Sequence, residues 1–170
     1  MSSITSVNLQ NAVVSQTALK YDGLGRRIEK DTTLADCTDN RVDYVYDRNN
    51  ILFEYDIYGN RRATYIGTGD TDSHLMMIRD GATYFYHTDN LGSVVAMTDA
   101  TGRLENKITY SPFGSILQVQ DQSGSLRQPA SLGTSVANPF YFTGREWDTE
   151  TGMLLLPRAL LRCLDGPLSF

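Results

Sequence analysis

Cysteine, histidine and proline are scarce in this sequence. Of 170 residues, two are cysteine, two are histidine and five are proline. Cys37 and Cys163 lie far apart and form no C-x-x-C motif, so the sequence supports neither a disulfide framework nor a zinc site. With only His74 and His87, a metal site would need carboxylates from elsewhere in the fold. We therefore expect no metal and no cofactor.

Excess positive charge and long apolar runs are also missing. Fifteen Lys and Arg stand against 20 Asp and Glu, which gives a net charge of -5 and a pI of about 4.9. Sequence-independent nucleic-acid binding needs a basic surface, so we expect no nucleic-acid partner. Apolar runs such as Leu75 to Ile78 are far shorter than the about 20 residues of a membrane-spanning helix. Because Met1 to Thr5 also lacks the features of a secretory signal, the sequence leaves the localisation open.

Aromatic residues and glycine are plentiful by contrast, with 10 Tyr, 6 Phe and 14 Gly. Val42, Tyr44 and Tyr46 share one face of a strand, while Arg41 and Asp43 point the other way. Helical spacing is hard to find before Leu154, because turn residues interrupt nearly every candidate window. The pattern predicts an all-β fold in a chain long enough for one domain.

A turn motif repeats along these strands. Aspartate accepts backbone N–H bonds at the first position of a D-x-x-G turn, and glycine supplies a positive φ at the last. Asp80-Gly81 predicts a two-residue hairpin turn, and Asp47 to Asn50 is a weaker version of the motif. Single hairpins are marginal, so we expect stacked antiparallel hairpins in a curved, open sheet. The D-x-x-G motifs are Asp22/Gly25, Asp56/Gly59, Asp89/Gly92, Asp99/Gly102 and Asp121/Gly124.

One segment interrupts this rhythm. Gln118 to Asn138 is rich in Gln, Ser, Gly and Ala. That composition predicts a long surface loop inserted between strands.

Four motifs together resemble a known family. They are Tyr21 to Arg27, Tyr86 to Val94, Tyr110 to Gly114 and Phe142 to Asp148. Their order and spacing resemble the C-terminal core region of the rearrangement-hotspot (Rhs), or YD-repeat, family. The resemblance extends from Tyr21 to Met153, preceded by a short, weakly repetitive lead-in at residues 1–20.

The resemblance implies a structural function. Family members are usually very large, secreted or cell-surface proteins whose YD repeats form a hollow β shell around a toxin. The chain is therefore expected to be a non-enzymatic fragment of such a shell, with other Rhs repeats or a full-length Rhs protein as partner. The alternative is a module that binds a glycan or a protein through exposed aromatic side chains such as Trp147.

The tail at residues 154–170 departs from the family. Family members have a segment resembling YYYRARYYDxxxGRFL there, and its aspartates take part in self-cleavage of the shell. Suitable synonymous codons for Leu154 to Phe170, read one base later, encode YYYRARYYDASMGRFL. The match indicates a frameshift after Met153 and hence a truncated remnant without a toxin. We expect this tail to be loosely attached, with a short helix allowed over Arg158 to Leu164.

Several residues invite a catalytic interpretation that their context disfavours. His87, Asp89 and Ser93 could suggest a hydrolytic triad, but Asp89 is already needed for a turn. Asp148 and Glu150 could form a carboxylate pair, although another turn is the better interpretation.

The remaining candidates have equally plain explanations. Arg26-Arg27 and Arg61-Arg62 are expected on solvated strand edges. Most aromatic residues should pack against neighbouring strands. Asp165 lies outside any family motif. The sequence therefore predicts no catalytic, cofactor-binding or metal-binding residue.

Overall fold

A computed structural model describes residues 2–7, 13–34, 39–127, 136–148, 153–156 and 159–161 of the chain. The fold divides into two compact units, Met1–Thr64 and Tyr65–Phe170. No helix among the described residues is long and apolar enough to cross a membrane.

The first unit is an antiparallel meander, in which each strand pairs with the next one along the chain. The residues of the predicted lead-in form the first strand and most of the second. The last strand continues into the second unit. The strands are β1 (Ser2–Val7), β2 (Val13–Tyr21), β3 (Arg27–Leu34), β4 (Asp39–Asp47), β5 (Asn50–Tyr55) and β6 (Arg61–Ile66).

The second unit contains another meander and a small separate sheet, both antiparallel. Between them lies one 3₁₀ turn, Phe142–Gly144. The meander comprises β7 (Met76–Arg79), β8 (Ala82–Thr88), β9 (Val94–Asp99), β10 (Leu104–Tyr110), β11 (Ile116–Asp121) and β12 (Leu126–Arg127). The small sheet comprises β13 (Trp147–Asp148), β14 (Met153–Leu156) and β15 (Ala159–Leu161).

The prediction of an all-β fold built from hairpins is confirmed. At Asp22 the carboxylate oxygen Oδ1 accepts the N–H groups of Leu24 and Arg26, both at 2.9 Å. The Arg26 backbone bond contributes most to lowering the pKa of Asp22, because it stabilises the charged carboxylate. The same geometry recurs at Asp56, Asp89, Asp99 and Asp121. At Asp80-Gly81 both residues have positive φ, 52° and 78°, as in a type I′ hairpin.

The prediction of one long surface loop over Gln118 to Asn138 is wrong for its first part. Strand β11 continues to Asp121, a D-x-x-G turn follows, and the chain returns as β12. Ile116 and Val119 bury their side chains, which explains why a segment rich in Gln and Ser still forms a strand. Residues 128–135 lie outside the described residues, and Val136 is buried.

The short helix that the sequence allowed over Arg158 to Leu164 does not form where the tail is described. Ala159 to Leu161 form strand β15 and pair with β14. The rest of that range lies outside the described residues. Strand β14 pairs with β13 on its other side, and Leu154 is buried. Strand partners on both sides of β14 therefore outweigh the helix propensity of leucine.

The core of the second unit contains a buried asparagine. Asn106 on β10 is only 1% exposed and pairs in register with fully buried Met97 on β9 and with Asp121 on β11. Among the described residues, neither the amide nitrogen nor the amide oxygen of Asn106 has a hydrogen-bond partner. A buried polar group without a partner costs about 1–3 kcal/mol.

We expect Asn106→Leu to raise the free energy of unfolding by about 1–2 kcal/mol, because it removes those groups at similar volume. Urea unfolding with an unchanged m-value would measure the gain. Asn138→Leu is the matched control, since Asn138 is also buried but donates to the Phe140 carbonyl at 2.7 Å and accepts its N–H at 3.1 Å. Equal destabilisation by both substitutions would contradict this explanation.

Candidate functional site

A short segment, Phe140–Asp148, packs against the meander of the second unit; we call it the strap. It folds back on itself, because the Tyr141 N–H donates to the Arg145 carbonyl at 2.9 Å and Phe140 forms a β-bridge with Glu146. Thr143 and Gly144 at its tip have φ values of 52° and 70°. Two left-handed residues in succession give the chain its sharp reversal.

Hydrogen bonds and ring contacts hold the strap against the start of β9. The Val94 N–H donates to the Tyr141 carbonyl at 3.0 Å, and the Thr143 N–H donates to the Ser93 hydroxyl oxygen at 3.1 Å. The Phe142 ring lies 5.7 Å from that of Tyr110. Burial raises the pKa of both Tyr110 and Tyr141, so their hydroxyls stay protonated near neutral pH.

The loop at residues 67–75 also contacts the strap tip, through an ion pair and a hydrogen bond. An Arg145 guanidinium nitrogen lies 2.9 Å from a carboxylate oxygen of Asp72. His74 Nε2 lies 2.8 Å from the Gly144 carbonyl oxygen. A Cβ atom added to Gly144 would lie only 2.2 Å from the Asp72 carbonyl oxygen, so the backbones approach as closely as glycine permits.

His74 is the most perturbed ionisable group of this contact. Its ring stacks on Phe140 with the centroids 3.6 Å apart and the planes 13° from parallel. The side chain is buried, and burial lowers its pKa to about 4, although the Gly144 hydrogen bond partly opposes this shift. Burial raises the pKa of Asp72, while Arg145 opposes that shift. His74 is therefore neutral at pH 7.

A cavity of about 520 Å³ opens beside the loop and the strap tip. Hydroxyl groups, two leucines, Asn90, Gly92, His74 and the Asp72–Arg145 pair line it. Such a lining can donate and accept hydrogen bonds, and among the described residues no hydrogen bond pairs one of its hydroxyls with His74, whose Nε2 is bound to the Gly144 carbonyl. The hydroxyl-bearing and leucine residues are Thr68, Thr71, Ser73, Thr88, Thr143, Leu75 and Leu91.

The triad considered from the sequence does not assemble as a catalytic unit. Oδ1 of Asp89 accepts the Leu91 and Ser93 N–H groups at 2.9 and 2.8 Å, so the carboxylate serves the turn. His87 is exposed and its Nε2 lies 3.0 Å from the Thr98 hydroxyl. No hydrogen bond joins the three side chains in the part of the chain that the structure describes.

The other candidates are also separated or outside the described residues. Asp148 is fully buried in β13, whereas Glu150 and Asp165 lie outside the described residues. The Trp147 ring lies 6.4 Å from that of Tyr141, so this side chain packs within the strap. The described residues contain no group of three or more potential metal ligands.

The expectation of solvated basic pairs is wrong for Arg27. Arg26 and Arg61 are at least partly exposed, but Arg27 is 1% exposed. Its guanidinium lies 5.0 Å from the Tyr44 ring centroid and donates to the Tyr44 hydroxyl at 3.2 Å. The aromatic ring and hydroxyl compensate the buried charge, which a solvated edge position would not require.

Sequence reasoning missed the contact between the loop at residues 67–75 and the strap tip. His74 and Gly144 are 70 positions apart, so no local pattern connects them. The signal present was a Gly-Arg pair within a recognised motif and a histidine after a polar, glycine-containing loop. Neither signal identifies the other as its partner.

The sequence profile of the teneurin YD-shell family matches residues 3–127, more than half of the chain. The chain belongs to this family. Among similar proteins, the tRNA3(Ser)-specific nuclease WapA of Bacillus spizizenii is 29% identical over 139 residues, which cover 81% of this chain and 5% of that protein. Teneurin-1 of Gallus gallus is 28% identical over 102 residues, 58% of this chain and 4% of that protein. The YD-shell chain thus spans only a small part of these relatives.

A solved structure shows the same fold. The crystal structure of TcdB2-TccC3 without its hypervariable C-terminal region aligns with a TM-score of 0.61 at 15% identity. The alignment covers 94% of this chain and 8% of that one. Together with the YD-shell profile and the WapA relative, this fold confirms the resemblance to the Rhs/YD-repeat family.

Proposed function

We propose that this chain is a non-enzymatic structural piece of a YD-repeat shell. Family membership supports a shell role. The hydrogen bonds of the turn aspartates to backbone N–H groups support the absence of catalysis. The observation that carries the proposal is the turn chemistry at Asp89. Its carboxylate is bound to backbone N–H groups, as are the other turn aspartates, so these residues close hairpins instead of activating a nucleophile.

The names of the Bacillus relatives make tRNA cleavage the activity to test. We expect purified chain to leave total tRNA intact and to keep its mass of 19.0 kDa during prolonged incubation. Gel analysis of tRNA and intact mass spectrometry measure the two outcomes. Preparations of His87→Gln and Asp148→Asn identify a contaminating ribonuclease, which would cleave equally in all three. Cleavage that either substitution abolishes, or a new protein fragment in protease-free samples, would overturn the proposal.

We further propose that the chain is a truncated remnant without its own toxin. The support is that suitable synonymous codons for the residues after Met153, read one base later, encode a family-like segment. The nucleotide sequence of this region tests it directly. Codons that do not yield the YYYRARYYD segment in the shifted frame would remove the basis for this reading.

A second candidate function is binding of a glycan or protein through exposed aromatics. Tyr58, at the tip of a turn, is 85% exposed, whereas the other nine tyrosines are buried or half-buried. Binding would therefore depend on Tyr58 more than on Trp147. In a glycan screen, a signal that Tyr58→Ala removes and Trp147→Ala preserves would favour this function over a purely structural one.

A further inference from the structure

The strap is held at its tip by one loop, and that loop contributes an ionisable side chain buried at the contact. Asp72 pairs with Arg145, while His74 bonds to Gly144 and stacks on Phe140. His74 thus touches the strap at two separated points. Any change that weakens these contacts acts on both the base and the tip of the strap.

The hydrogen bond fixes which nitrogen of His74 carries the proton. A carbonyl oxygen only accepts hydrogen bonds, so Nε2 must donate to Gly144 and Nδ1 must be the unprotonated nitrogen. Acid therefore adds a proton at Nδ1 and places a positive charge in the stack with Phe140. Neutral imidazole fits this position, because the side chain is only 9% exposed.

Among the described residues, aromatic rings surround the stack and no carboxylate bonds to His74. Phe140 also packs against Tyr65 and Tyr86, with centroid distances of 5.0 and 6.1 Å, and His74 lies 5.8 Å from Tyr86. The Tyr65 hydroxyl accepts from Arg79 at 2.7 Å. The strap contributes Arg145, which engages Asp72, the acidic residue on the same loop as His74. The Asp72 carboxylate, on the same loop as His74, is thus already engaged by Arg145.

We propose that His74 is an acid-sensitive latch, whose neutral ring holds the strap on the meander and whose protonation releases it. Since the strap includes β13, its release would also free the small sheet that begins there. The latch gives this segment a conformational response that the shell role alone does not require.

The direction of the response follows from linkage. The pKa of His74 is about 4 when the strap is closed and returns to about 6.5 when the ring is solvated. The open state therefore binds the proton more tightly, and closure weakens as the pH falls from about 6.5 towards 4. Asp72 acts oppositely, because its raised pKa favours the closed state as the carboxyl takes up a proton. This opposing effect of Asp72 is smallest in the upper part of that pH range, where its carboxyl remains charged.

Hydrogen exchange of the intact chain tests the latch. The probes are the two amides that join the strap to the meander, namely the Val94 N–H, which donates to the Tyr141 carbonyl, and the Thr143 N–H, which donates to the Ser93 hydroxyl oxygen. After correction for intrinsic exchange, their protection should fall about 20-fold from pH 7 to pH 5, the ratio that the two pKa values imply. Amides within β10, and those of β9 beyond Val94, should keep their protection over the same range.

Two substitutions separate the latch from a general effect of acid. His74→Gln retains a donor for the Gly144 carbonyl but cannot titrate near neutral pH, and His74→Phe retains the stack. Strap protection in whichever variant folds should be independent of pH between 7 and 5. His87→Gln, which removes the exposed histidine, should preserve the 20-fold response of the native chain.

A measurement on the native chain needs no variant. Carbon-13 NMR of the imidazole should show the Nε2-protonated tautomer of His74 at pH 7. The opposite tautomer, strap protection that does not change between pH 7 and 5, or an undiminished response in His74→Gln would each overturn the latch.

Discussion

Replacing Gly144 with alanine is expected to lower the free energy of unfolding by about 3 kcal/mol. Its φ of 70° disfavours any side chain, and the added Cβ would lie 2.2 Å from the Asp72 carbonyl oxygen and 3.1 Å from the Asp72 Cβ. Because the nearest atom belongs to the backbone, no rotamer change relieves the clash. The loop must move, which strains both the Asp72–Arg145 pair and the His74 hydrogen bond.

Gly102→Ala is the matched control for that prediction. Gly102 has a φ of 82° but nothing within 4 Å of its added Cβ, so the substitution tests the backbone strain alone. We expect a loss of about 1 kcal/mol for this control. Urea unfolding followed by the fluorescence of Trp147, the single tryptophan, reports directly on the strap. Equal losses for both variants would show that the Asp72 contact does not constrain the tip.

The turns were predictable because their chemistry is complete within five residues. Asp99 Oδ1 accepts the N–H groups of Thr101 and Arg103 at 2.8 and 2.9 Å, and Gly102 supplies the positive φ. The first and last partners are separated by four positions. A local motif of this kind determines the hairpin and, through strand alternation, the all-β class.

The strap could not be predicted in the same way, because its contacts connect distant parts of the chain. His74 becomes significant only when the fold brings Phe140 and Gly144 to it. For a related reason, residues 159–161 of the tail form a strand instead of the helix that the sequence allowed. Leucine propensity is weak compared with the backbone hydrogen bonds that β13 and β15 supply to β14.

The different burial of the neighbours Arg26 and Arg27 could not be predicted from local sequence either. Arg26 and Arg27 are identical in type, and strand alternation places them on opposite faces. Arg26 forms an ion pair with Asp22 at 2.6 Å, whereas Arg27 is buried against Tyr44. The sequence predicted both arginines on solvated strand edges and offered no reason to assign a charged side chain to the buried face.

Arg27→Ala is expected to lower the free energy of unfolding by about 3 kcal/mol, because it empties a buried volume and removes the donor to the Tyr44 hydroxyl. Arg27→Met should lose less, about 1 kcal/mol, since an apolar chain of similar length fills the space and carries no charge to bury. Urea unfolding with tyrosine fluorescence would measure both changes in the first unit.

Arg26→Ala provides the comparison from the adjacent position. It removes a partly exposed ion pair, so the unfolding midpoint should move little. We expect the free energy of unfolding to be lowest for Arg27→Ala, clearly higher for Arg27→Met, and closest to the native value for Arg26→Ala. If Arg27→Met proved as damaging as Arg27→Ala, the charge over the Tyr44 ring, and not the filled volume, would be what stabilises this part of the meander.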